Sequence, residues 1–296
     1  MKTLHDKVVV ITGAGSGIGR SLALDAAARG SLLALSDIDV PGLAETVALA
    51  ENTGATAIHS ERLDVADRAA FASYAGEVAE HYGRVNVVVN NAGVSLTGDL
   101  ADLSYDDMEW IVGINFWGVV HGTKEFLPHL IASGDGHLVN ISSLFGLVSI
   151  PGQSFYNATK YAVRGMSEAL REELLVAGHP VGVTVVHPGG IKTAIARSGR
   201  VAGSADKQAT AELFDRRLAK MTPDRAAEII VRAVLRNQAR CLVGLDAHTL
   251  HHFAKLAGSR YQDVVAGAAK RVLPARPLYS EAPSARRRRQ RVGGLE

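Results

Sequence analysis

The chain of 296 residues holds a single cysteine, Cys241. That count excludes internal disulfides and thiolate zinc clusters, and Cys241 reads as a small buried hydrophobe. Long apolar runs are missing as well: no stretch reaches the ~18 uncharged apolar residues that a membrane-spanning helix needs. The opening MKTLHDKVVVITG lacks the layout of a signal peptide, because its apolar stretch leads straight into a glycine loop, and a cytoplasmic protein is expected. Nor does one sign of charge dominate. The 32 basic and 30 acidic residues give +2, and setting aside the five arginines of 286–296 with Glu296 leaves 27 against 29. The body is therefore not a polyanion binder. The run from Arg286 to Arg291 could touch nucleic acid or anionic lipid, but an isolated terminal charge run reads first as a solvated tail.

What remains is a chain that is 47% hydrophobic and 21% charged, enough to bury a large core. Short β-rich apolar runs alternate with longer amphipathic ones as far as about Val186, the pattern of repeated strand and crossover-helix units. Strands are expected at Lys7–Thr12, Ser31–Ser36, Thr56–Leu63, Arg84–Asn90, His137–Ile141, Val181–His187 and Cys241–Val243. Helices are expected at Gly17–Arg29, Pro41–Asn52, Arg68–Tyr82, Tyr105–Ala132, Ser154–Ala177 and Pro223–Asn237. Runs such as VVVI and VNVVV lack alternation, as strands covered on both faces should, so a doubly wound α/β fold with a parallel sheet of about seven strands follows. Ser104 with Asp107 has capping-box spacing, and Thr222 before Pro223 is a capping residue with proline in the first turn. Residues 194–221 read as a mobile flap with a helix at Ala209–Lys220. Helical patterns over 247–272 form a C-terminal extension, and 273–296 read as an irregular basic tail.

The first strand runs into Gly13, Ala14, Gly15, Ser16, Gly17, Ile18 and Gly19, with a helix beginning inside the glycines. A tight turn there needs φ values that glycine adopts cheaply, and a side chain would block backbone N–H groups from a pyrophosphate at the positive helix end. Asp37 lies eighteen residues after Gly19, close to the ~20-residue separation of an acid that accepts from the adenosine ribose. A carboxylate there repels a 2′-phosphate, and the loop carries no lysine or arginine. NAD is favoured over NADP, with Arg20 near enough to keep NADP open.

Tyr156 and Lys160 sit four apart on an expected helix and so share a face. A phenol loses its proton near pH 10, so its use as an acid/base near neutrality calls for nearby positive charge, which Lys160 and an oxidised nicotinamide would supply. Ser143, thirteen residues upstream, can present a neutral hydroxyl to the substrate oxygen. The glycine motif, Asn90-Asn91-Ala92-Gly93, Asn115, Ser143, the Tyr156-to-Lys160 spacing and Pro188-Gly189 together resemble the short-chain dehydrogenase/reductase family over about residues 5–245.

That resemblance implies a single Rossmann-type domain over 1–272. Tyr156 would be the catalytic acid/base, and Lys160 would bind the nicotinamide ribose and depress the tyrosine's pKa. Ser143 would polarise the carbonyl or alcohol, and Asn115 would hold a relay water. It further implies adenine contacts from Asp64 and Val65, a cofactor floor from Asn91, Ala92 and Gly93 alongside Pro188 and Gly189, and carboxamide and phosphate contacts from Ile191 and Thr193. Self-association as a dimer or tetramer through the helices bearing Asn115 and Tyr156 is also implied.

The substrate would meet the parts that the motifs leave free: Ser95, Leu144, Phe145, Gln153, Gly190, Ile195 and Phe214. The region is mostly apolar, and Ile195, Leu213, Phe214 and Met221 of the flap suggest a lipophilic secondary alcohol or ketone. His248, His251 and His252 are accompanied by no HExxH pattern, and no metal site is expected. Two alternatives remain: an NADPH-dependent carbonyl or ketoacyl reductase, and a non-catalytic dinucleotide-binding sensor or scaffold.

Overall fold

The computed structural model describes residues 1–203, 208 and 219–272. The main strands are β1 (Val8–Thr12), β2 (Leu32–Asp37), β3 (Ile58–Arg62), β4 (Val87–Asn90), β6 (His137–Ile141), β7 (Gly182–Pro188) and β9 (Arg240–Val243). All pair in parallel, in the order β3-β2-β1-β4-β6-β7-β9. The helices between them are α1 (Gly17–Ala28), α2 (Val40–Thr53), α3 (Arg68–Tyr82), α4 (Tyr105–Val112), α5 (Gly118–Ala132), α6 (Ser154–Val176) and α8 (Pro223–Leu235).

Because both sheet faces are covered, successive residues of one strand serve two cores. Val9 and Ile11 of β1 pack with Leu22 of α1 and Ile230 of α8, while Val10 packs with Phe71 and Phe126 of α3 and α5. Each of these side chains is buried, and each contributes roughly 1.5–3 kcal/mol by leaving water. The chain winds outward from β1 through β2 to β3 and then resumes on the other side at β4. This reversal opens a crevice at the carboxyl ends of β1 and β4, where such sheets bind ligands.

The structure departs from the sequence expectation in three places. The single helix expected over Tyr105–Ala132 is interrupted by a π-helical turn at Gly113–Trp117. There Asn115 turns inward and pairs through its side chain with both the N–H and the carbonyl of Val94, and the helix widens by one residue. Second, the start of the expected flap is ordered: α7 (Ile195–Ser198) leads into β8 (Arg200–Val201), which pairs with β5 (Leu96–Thr97). Two-residue strands carry too little pattern to be read in advance. Arg200 holds this piece down, stacking 4.0 Å above the Trp110 ring and donating to Asp107 at 3.0 Å. Phe214 and most of the helix anticipated at Ala209–Lys220 lie outside the described residues, as does the tail 273–296; Ala219 and Lys220 are not helical. Third, the C-terminal extension begins two residues earlier than expected, with α9 (Leu245–Ala257) followed by α10 (Tyr261–Val272).

Candidate active site

Two loops are stitched together to form the floor of the crevice. Thr12 Oγ1, at the end of β1, accepts from the N–H groups of Asn91 and Ala92 after β4, at 3.1 and 3.2 Å. The Asn91 amide returns two bonds to the carbonyls of Thr12 and Gly13. This closeness is possible only with glycine at two points. Gly13 has φ +66°, and a Cβ there would lie 2.8 Å from Ala92 Cα; a Cβ on Gly19 would lie 2.0 Å from the Gly13 carbonyl. Gly19 thus packs α1 onto the turn rather than facing the crevice.

The start of α1 differs from its neighbours. Asp39, Asp67, Ser104 and Thr222 cap α2, α3, α4 and α8 through their side chains, but Ser16 gives α1 no side-chain cap. The first turn of α1, with its unshared N–H groups and positive dipole end, lines the crevice through Ser16, Gly17 and Ile18. Asp37 stands beside it. Its carboxylate accepts from the Gly15 and Asp39 N–H groups at 2.7 and 2.9 Å, so Gly15 orients the acid. Arg20 is committed elsewhere: its guanidinium donates to the Gly15 and Gly42 carbonyls, Glu45 and Thr46. An uncapped helix start, a glycine cradle and an adjacent oriented carboxylate are what a dinucleotide's pyrophosphate and ribose require, so the residues fit that group.

The same crevice, about 580 Å³, continues past Asp64, Val65, Gly93, Pro188, Gly189, Ile191 and Thr193 to Ser143, Tyr156 and Lys160. The last two are carried by the first turns of α6, whose four-residue spacing stacks them on its buried face. Tyr156 is 8% and Lys160 3% exposed. The Lys160 ammonium lies 5.7 Å from the Tyr156 ring centre and donates to the Ile141 carbonyl at 3.1 Å, while Ser142 bonds the Lys160 carbonyl. Burial pulls the Lys160 pKa down to about 8. Burial likewise pushes the Tyr156 phenol above its usual range, opposed by a hydrogen bond with Ser143. The nearby Lys160 ammonium and the Ser143 hydroxyl are the groups placed to favour the phenolate against this cost of burial.

Asn115 does not reach the crevice wall. It lies fully buried behind Gly93, bonded to Val94, where a Cβ on Gly93 would come 3.2 Å from its Oδ1 and 3.4 Å from Lys160 Nζ. Ser143 is backed by His187, whose Nδ1 meets the Ser143 carbonyl at 2.9 Å and whose pKa burial lowers to about 4. The neutral ring therefore supports the serine strand end without adding charge.

Beyond Tyr156 the wall becomes apolar. Val94, Leu144, Ile195 and Phe145, whose ring meets that of Tyr156 edge-on, line it with Ser95, Gln153 and Gly190. Sequence reasoning missed two contributors from α9. Asp246 accepts from the Gly190 N–H at 2.7 Å and holds the loop after β7, and Leu250 closes the apolar end. An aspartate in a first helical turn reads as a dipole partner, so no local signal marked it.

A parallel doubly wound sheet with this crevice at its switch point defines a dinucleotide-binding oxidoreductase architecture. Residues 7–202 match the family model for short chain dehydrogenases, and the chain belongs to that family. A Mycobacterium tuberculosis protein named SadH and assigned to the oxidoreductases is 55% identical over 274 residues, covering 93% of this chain and 99% of its own. Epidermal retinol dehydrogenase 2 of Mus musculus is 35% identical over 238 residues, 80% of this chain and 74% of its own. A short chain dehydrogenase/reductase from Burkholderia phymatum, solved in complex with NAD, superposes with a TM-score of 0.81 at 31% identity, covering 94% of this chain and all of that one. The protein is thus an oxidoreductase of the short-chain type that uses an NAD(P) cofactor. Among the described residues no helix is long and apolar enough to cross a membrane.

Proposed function

We propose that this protein interconverts a lipophilic secondary alcohol and its ketone, using NAD(H). The observation that carries the reading is the burial of the Tyr156 phenol between Ser143 and Lys160, in the same crevice as the glycine loop. When bound, the nicotinamide supplies the hydride acceptor or donor. As a phenolate Tyr156 would take the alcohol's proton in one direction, and as a phenol it would give that proton back to the substrate oxygen in the other. The Ser143 hydroxyl orients the substrate oxygen. Lys160 holds the nicotinamide ribose and keeps a positive charge next to the phenol, while Asn115 keeps Gly93 and Val94 positioned beside that ammonium and serves the relay to solvent.

Gly13, Ser16, Gly17 and Ile18 would receive the pyrophosphate, Asp37 the adenosine ribose, Asp64 and Val65 the adenine, and Ile191 and Thr193 the carboxamide and phosphate side. Asp37 and the commitment of Arg20 to Gly15, Gly42, Glu45 and Thr46 support NAD over NADP, as does the NAD complex of the Burkholderia relative. The apolar wall and the similarity to a retinol dehydrogenase support a lipophilic substrate. Self-association is proposed through α4, the π-helical turn and α5, and α6, where Tyr105, Trp117 of that turn, Leu175 and Val176 are large exposed apolar side chains.

A panel of aliphatic, aromatic and polycyclic secondary alcohols assayed with NAD and with NADP tests the reading. Turnover should favour apolar alcohols and NAD. Turnover with NADP alone, or dinucleotide binding with no turnover on any alcohol or ketone, would overturn it.

A further inference from the structure

A second cluster of chemistry-bearing side chains lies outside the crevice, on the edge strand β3. His59 and Glu61 are two residues apart and so point from the same face of the strand. The face of α3 that bears Tyr74, Glu77 and His81 packs over them, with the His59 ring 6.2 Å from that of Tyr74 and 5.5 Å from that of His81. One ligand-type atom from each of His59, Glu61 and Glu77 falls within 4.8 Å of the others.

The polar atoms here are poorly served by the protein. His59 Nε2 and Glu61 Oε2 are both cut off from solvent and neither has a hydrogen-bond partner. They face each other at 3.7 Å, within ion-pair range when the imidazole is protonated but beyond hydrogen-bond reach. Glu77 shares one carboxylate oxygen with Ser73 at 2.9 Å and adds a second negative charge next to Glu61. Leaving buried polar atoms unpaired beside two carboxylates is costly, and a bound cation would remove the cost.

We propose that His59, Glu61 and Glu77 form a binding site for one zinc-type divalent cation. An imidazole with two carboxylates suits a borderline transition cation, whereas magnesium and calcium favour an all-oxygen shell. Three protein ligands leave a fourth position for water or for His81, one helical turn beyond Glu77. The backbone on both sides is already held: the His59 N–H donates to Tyr82 Oη, which in turn donates to the Leu33 carbonyl. A cation here would tie β3 to α3 two to six residues before Leu63, Asp64 and Val65, which line the crevice. The ligands come from a strand and a helix with fifteen residues between Glu61 and Glu77. No compact motif announces them, and this explains the sequence expectation of no metal.

The test uses the full-length chain, stripped with a chelator and titrated with zinc chloride in a calorimeter. One equivalent should bind saturably. Affinity should fall at least about tenfold in Glu61→Gln and in Glu77→Gln, with far-UV circular dichroism confirming the fold. Glu77 is exposed, so its replacement leaves the core intact. His252→Gln, in the α9 cluster where the His251 and His252 rings are 5.2 Å apart, should bind as the parent does. Absence of saturable binding, parental affinity in Glu77→Gln, or binding that disappears in His252→Gln would overturn the site.

Discussion

The two ends of the crevice are built by different means. At the dinucleotide end the walls are backbone: Gly13 and Gly19 bring chain against chain, and the Thr12 hydroxyl and Asn91 amide lock β1 to β4. At the far end the walls are side chains delivered by separate segments, with Leu144 and Phe145 after β6, Ile195 on α7 and Leu250 on α9. Close backbone packing admits few alternatives, because a single added carbon meets an immovable carbonyl. Side-chain walls can change size and polarity while the frame stands. One end is thus shaped for a single ligand class, and the other is free to define the substrate.

The contrast sets the size of the effect expected from substitution. Gly19→Ala should be the most severe, because its Cβ would lie 2.0 Å from the Gly13 carbonyl. Overpacking of that kind costs about 3 kcal/mol or more, read as a lower melting temperature and lost NADH fluorescence enhancement. A stable variant with parental NADH affinity would break the claim that backbone shapes this end.

Asp37→Ser should have the next largest effect. Losing a charged acceptor is worth roughly 1.5–3 kcal/mol, so NADH affinity should fall about tenfold or more while NADPH affinity rises. Fluorescence titration with both dinucleotides reads the change, and an unaltered preference would remove Asp37 from the ribose. Leu250→Ala should be mildest for the frame. Truncating one wall residue is worth about 1–3 kcal/mol in discrimination between apolar substrates, so KM should rise and bulkier alcohols gain, with NADH affinity unchanged. An equal loss in NADH binding would show that the two ends are not separable.

The legibility of the chain follows the same division. Glycines 13 to 19, Asp37 and the Tyr156–Lys160 pair could be read in advance because few residue types meet their demands and their spacings are short. Most of the strands were readable because burial on both faces leaves unbroken apolar runs, whereas the edge strand β3, IHSER, is only partly buried and carries no such run. The π-helical turn was not, since it depends on Asn115 reaching Val94, twenty-one residues back. Asp246 and Leu250 escaped notice because their partners lie across the fold, and β5 with β8 because two residues carry no period.

The central claim is that the buried Tyr156 hydroxyl moves the substrate's proton and does little else. Steady-state turnover and NADH affinity measured together on Tyr156→Phe test it most directly. Turnover should fall by about a thousandfold, in line with removal of a general acid/base, while NADH affinity stays within a few-fold of the parent. Turnover preserved in this variant would contradict the account.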